Sequence, residues 1–139
     1  MKSTTLILIL LLTACAAPVT KESIRSHAAY STTHAVNQPY QKVFASLLKQ
    51  SRNCYLNKPT DTQLTLVGNK NNGAKTANIT LEYVYAKLEH DVIVMIDLKR
   101  ESVDKTTVNV YTSRKNEKSK VDVVKKWIDN PGFKEICPV

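Results

Sequence analysis

Glycine is scarce in this 139-residue sequence, which contains only three. No glycine-rich turn is available to cradle a phosphate with backbone amides, and no serine is framed by the glycines of a nucleophile elbow. The three cysteines include no C-x-x-C pair, and His27, His34 and His90 stand singly, so no metal-ligand spacing is present. Glu82, Glu89, Asp91 and Asp97 form no pattern that pairs two carboxylates for acid–base hydrolysis. His90, in "EHDV", comes nearest to a metal or proton site but reads as a solvated turn between two carboxylates. Long hydrophobic runs are also missing. The longest aliphatic run, Leu6 to Leu12, has seven residues, whereas a membrane-spanning helix needs about 20. No internal repeat or low-complexity block occurs. These absences point away from an enzyme, a cofactor or a bound metal.

What is present starts at the N-terminus. Lys2 followed by the Leu6–Leu12 run has the charge and length of a secretory signal peptide. Leu12-Thr13-Ala14-Cys15 then resembles the bacterial lipobox, an aliphatic residue and two small ones before a cysteine. The resemblance implies that the Cys15 thiol takes a diacylglyceryl group and that the chain is cleaved just before it. Several acyl chains hold a protein far more firmly than one, because each buried methylene adds about 0.8 kcal/mol. Ala16 stands where the inner-membrane retention signal of enterobacteria would place an aspartate. The sorting rule so resembled favours the periplasmic face of the outer membrane. The expected division is a signal peptide over 1–14, a lipidated tether over 15–29 and a single domain over 30–139.

From Cys15 onward the chain has about 125 residues, enough for one core and not two. The formal charge of the whole sequence is +8. In the cytoplasm such a balance would suit nucleic acid, but export removes that partner. The anionic surfaces of the envelope remain: lipid headgroups, lipopolysaccharide phosphates and peptidoglycan carboxylates. The lysines are spread along the sequence rather than packed into one block, which also fits a merely solubilising surface. With Cys15 lipidated, Cys54 and Cys137 are left as a pair, and in an oxidising compartment a pair reads as a disulfide. Closing a loop of about 83 residues is worth on the order of 4 kcal/mol in the chain-entropy account.

Residues 16–28 are mixed, small and polar with no sustained apolar period, and read as a tether, with which a short helix through Ile24 is compatible. Tyr30–Val36 is β-branched and weakly alternating, which predicts a strand. Pro39 suits the first turn of a helix, and Tyr40, Val43, Phe44, Leu47 and Leu48 give that helix an apolar face to about Arg52. Cys54 falls just past its last turn. Residues 62–68 predict a strand, and "NKNNG" a turn. Ala77, Ile79, Leu81, Tyr83 and Tyr85 then share one face at period two, with Asn78, Thr80 and Glu82 on the other. Val92, Val94, Ile96 and Leu98 are expected inward, and Ile93 and Met95 opposite, on a side that is also partly covered. Val108 and Val110 alternate with Asn109 and Tyr111. A last helix carries Val121, Val124, Trp127 and Ile128 and stops at Asn130-Pro131-Gly132.

The predicted fold is α+β: strand, helix, four-strand antiparallel meander, helix, with both helices on one face of the sheet. "THAVNQPYQKVFASLLK" resembles the entry to helix-grip domains, a strand ending near a proline and then a helix with an aliphatic–aromatic pair, here Val43-Phe44. The likeness is one of pattern over residues 30–130, and the chain is similar in kind to small Gram-negative envelope lipoproteins with compact domains. That likeness carries no established activity; the anchor, the tether, the small disulfide-closed domain and the lack of a reactive site point to a lipid-anchored, non-catalytic module that binds or scaffolds another envelope component, protein or anionic surface. An alternative implied by the larger helix-grip relatives is a carrier of an apolar ligand between sheet and helices. Tyr83, Tyr85, Tyr111 and Trp127 are the candidate surface or ligand contacts, against the plainer reading that their rings pack in the core. The run Arg114 to Lys118 reads as a solvated loop.

Overall fold

The computed structural model describes residues 17–56, 63–85, 89–130 and Cys137. Cys15 and the Leu6–Leu12 run lie outside the described residues, as do 57–62 and 131–136. The first helix, α1 (Lys21–Ser26), is short and depends on its ends. Thr20 accepts from the Ser23 N–H while the Thr20 N–H donates to Ser23 Oγ, a reciprocal cap. β1 (Tyr30–Val36) leads into α2 (Tyr40–Tyr55), whose entry is set by Pro39 at φ −57°. Three strands in a meander, β2 (Leu64–Asn71), β3 (Thr76–Tyr85) and β4 (Glu89–Ser102), precede β5 (Lys105–Thr112). A 3-10 turn at Lys115–Glu117 then starts α3 (Lys118–Asp129).

The five strands form one antiparallel sheet in the order β1-β5-β4-β3-β2. The strand before α2 pairs with the last strand, and β2 becomes the opposite edge. α2 and α3 both pack on one face, here called the front. Their Val43, Leu47, Val121, Val124 and Trp127 meet Ile79, Leu81, Ile96, Leu98, Val108 and Val110 of the sheet. The α+β class and the placing of α2 and α3 on one face are as the sequence predicts. Gly68 of β2 allows the closest approach: a Cβ there would lie 3.0 Å from Leu48 and 3.2 Å from Phe44.

Two sequence expectations change. The period-two reading of β4 fails at a bulge, where Leu81 pairs with Val94 but Glu82 pairs with Val92. Ile93 is the additional residue, so Ile93 and Val94 both join the front core while Val92 turns to the back beside Met95. Val92 and Ile93 therefore exchange the faces assigned to them. Secondly, the stretch read as tether is docked from Val19 onward. Ile24, 1% exposed, packs on Val92 and Met95 and covers part of the back face. A helix of six residues is too short to show an apolar period, so only Ile24 carried the signal.

A polar row crosses the rest of the back face. Thr33, Asn109, Asp97, Asn78 and Asn69 are consecutive partners across all five strands and make one row. Arg25 of α1 reaches this row with a two-pronged bond to Asp97, at 2.7 and 3.1 Å.

Candidate functional site

The docked N-terminal segment ends against the start of β4. The Val19 N–H donates to Asp91 Oδ1 at 3.0 Å, and the Val92 N–H donates to the Val19 carbonyl at 3.0 Å. The other oxygen of Asp91 accepts from Arg114 at 2.6 Å. The Arg114 guanidinium lies 5.5 Å over the Tyr83 ring, and its neighbours Tyr85 and Asp91 raise its already high pKa. The Tyr83 and Tyr85 rings lie 6.1 Å apart, and Tyr85 is 43% exposed. One end of the sheet thus carries Val19, Asp91, Arg114, Tyr83 and Tyr85 together.

Of the four aromatic candidates, only Tyr83 and Tyr85 are brought together. Tyr111 is half-buried on the back face beside α1, where burial and Asp97 raise its phenol pKa. Trp127 is 3% exposed in the front core, edge-on to Tyr55 with ring centroids 6.2 Å apart. It is part of the packing and does not line a surface. Burial pushes the Tyr55 phenol well above its ordinary pKa. Cys54, in the last turn of α2, is bonded to Cys137 with Cα atoms 5.0 Å apart.

The solvated turn expected at Glu89-His90-Asp91 is instead the first part of β4, with Glu89 and Tyr85 paired. His90 and Asp91 are both engaged. Glu82, 5% exposed on the back face, accepts from Thr80 Oγ1 at 2.6 Å and from His90 Nδ1 at 2.8 Å. Lys21 Nζ of α1 approaches it at 3.9 Å. The carboxylate holds the start of α1 to the sheet. Among the described residues no group of three or more His, Cys, Asp or Glu side chains could hold a metal ion.

The expected solvated loop at Arg114–Lys118 is likewise structured. Arg114 is held by Asp91, while Lys118 pairs with Asp122 at 2.7 Å and lies 4.8 Å over the Tyr30 ring. A run of charges carries no sign of such partners, because Asp91 is 23 residues distant from Arg114 in sequence. Between the helices and the sheet, the space lined by Val36, Val43, Leu47, Trp127 and Ile128 is about 20 Å³. That is room for about one water, against roughly 300 Å³ at the small end of ligand pockets.

The geometry defines a small α+β domain, a five-stranded antiparallel sheet with α2 and α3 on one face and, among the described residues, a filled core. No protein-family model matches the chain, and no curated protein matches it. Among solved structures it is similar to norcoclaurine synthase from Thalictrum flavum, crystallised with dopamine and hydroxybenzaldehyde. That similarity covers 95% of this chain and 100% of the other, at 10% identity and a TM-score of 0.27.

Proposed function

We propose that the chain is a lipid-anchored envelope lipoprotein, fixed through Cys15 to the periplasmic face of the outer membrane, whose domain is a non-catalytic module binding another envelope component. The observation that carries this reading is the nearness of the docked Val19 to the lipobox cysteine. Val19 lies four positions after Cys15, a span of about 13 Å when extended at about 3.3 Å per residue. The expected tether of residues 16–28 would have reached about 40 Å. A short leash holds the domain against the bilayer with a fixed end toward the headgroups: the end with Tyr83, Tyr85 and Arg114. Tyrosine suits the headgroup layer, and each nearby basic residue adds about 1 kcal/mol at an anionic surface. The filled core directs recognition to the outer surface rather than to an enclosed apolar ligand.

Labelling cells with radioactive palmitate tests the anchor. Wild type should incorporate label and fractionate with outer membranes, and Cys15→Ser should do neither. An unlabelled wild-type protein in the soluble periplasmic fraction would overturn the reading.

A further inference from the structure

The lysines are spread along the sequence, but their pairing is not. From Tyr30 to Leu81 the chain has six Lys or Arg and a single acid, Asp61. Every ion pair among the described residues takes its cation from outside α2 and β2: Lys21, Arg25, His90, Lys99, Arg114, Lys118, Lys120 and Lys125. Lys49, Arg52 and Lys70 are exposed and enter none of these pairs. They border one groove. The stripe Gln41, Ala45, Leu48, Lys49 and Arg52, at helical spacing on α2, faces Lys70 of β2 across a concavity of about 390 Å³. Phe44 and Leu48, both half-buried, supply its apolar lining.

β2 is an edge strand, paired only with β3 among the described residues. The Val84 N–H donates to the Gln63 carbonyl. By the alternation of an antiparallel ladder, odd-numbered residues of β2 therefore bond to β3, and Leu66, Gly68 and Lys70 turn N–H and C=O outward. Among the described residues, an unpaired strand edge, an apolar slot and cations outside every ion pair thus lie side by side. A strand added to that edge would place alternate side chains on the α2 side, in reach of the slot and of the cations.

We propose that this groove binds an extended acidic segment of a partner protein as a sixth strand on β2. An apolar side chain would fill the Phe44–Leu48 slot, and acidic side chains two positions to either side would meet Lys49, Arg52 and Lys70. The proposal deepens the binding half of the reading above by naming the partner chemistry. A bilayer is the poorer fit, because the groove lies on the α2 face whereas the N-terminal segment docks on the opposite face.

The test uses the full chain carrying Cys15→Ser, so its result does not depend on lipidation. The probe is a short fluorescein-labelled peptide in which Glu, Leu and Glu alternate with threonine, read by anisotropy. The expected result is saturable binding that weakens with salt and falls at least about tenfold in both Lys49→Glu/Arg52→Glu and Lys70→Glu. A lysine-for-glutamate peptide should bind at least about tenfold more weakly, as should one N-methylated along the edge that pairs with β2. Equal binding of the lysine peptide, or of the N-methylated one, would overturn the proposal. So would phosphatidylglycerol vesicles capturing the protein, or self-association of the protein, with the same charge-reversal sensitivity while the peptide fails. Unchanged thermal unfolding midpoints keep loss of binding separate from loss of fold. Palmitate labelling of Cys15 stands or falls independently.

Discussion

The two faces of the sheet are held by different interactions. On the front, α2 and α3 bury a continuous apolar layer in which Trp127, Val121, Val124, Val108 and Val110 are almost wholly shielded from solvent. On the back, α1 touches down through one apolar residue, Ile24, and several polar ones: Lys21 to Glu82, Arg25 to Asp97, and the Val19 backbone to β4. Apolar burial is non-directional and scales with area, at about 25 cal/mol per Å². Polar docking depends on geometry, and the exposed Arg25–Asp97 pair is worth only about 0–1 kcal/mol. The front face should therefore set global stability, while the back face sets how firmly the segment after Cys15 is attached.

The largest break comes from the front. Trp127→Ala should lower global stability by about 3–5 kcal/mol, as for large aromatic truncations in cores, read as a fall in the urea midpoint. A loss under about 1 kcal/mol would mean that α3 contributes little to the front core. Next is the disulfide, which ties the end of α2 to the C-terminal segment across the same layer. Cys54→Ser with Cys137→Ser should cost on the order of 4 kcal/mol, and reductant should produce the same shift in wild type but none in the double variant.

Ile24→Ala tests the other side. It removes the one apolar plug of α1, so residues 17–28 should become open to proteolysis and lose amide protection. The global urea midpoint should shift by less than half as much as in Trp127→Ala, because α1 opens as its own local unit. Equal shifts for both variants would abolish the distinction between the faces.

These contrasts also show what the sequence discloses. Elements with several apolar residues at a fixed period were legible: Val43 and Leu47 on α2, Val121 and Trp127 on α3, and the alternation of β5. Two features broke a period and were not. The bulge at Ile93 shifts the face of Val92 without any change in composition, and α1 offers one buried residue in six. The Arg114–Asp91 contact and the groove were hidden for another reason. Both join residues far apart in sequence, and pairing of charges is a property of the folded surface rather than of the order of residues. Thr80 and Glu82 were placed on the correct polar face, but the partners His90 and Lys21 come from β4 and α1.

The smallest expected effect sharpens the comparison at a histidine on the front face. His34 of β1 lies partly beneath α3 and shares a 3.0 Å hydrogen bond with Thr32 Oγ1. Burial lowers its pKa from the ordinary 6.5, helped by the charge of Lys125 and opposed by that of Asp129. A group with a lower pKa in the folded state binds fewer protons there than in the unfolded chain. Stability from this group is therefore constant above the ordinary value and falls as the pH drops below it. The urea midpoint should decline between about pH 7 and pH 5.5 in wild type and decline less in His34→Gln. Lys125→Gln should recover part of the acid loss, because it removes a positive charge that opposes protonation. If His34→Gln leaves the slope in this window unchanged, burial of His34 is not the source of the acid sensitivity. The front would then be indifferent to pH, as an apolar layer should be.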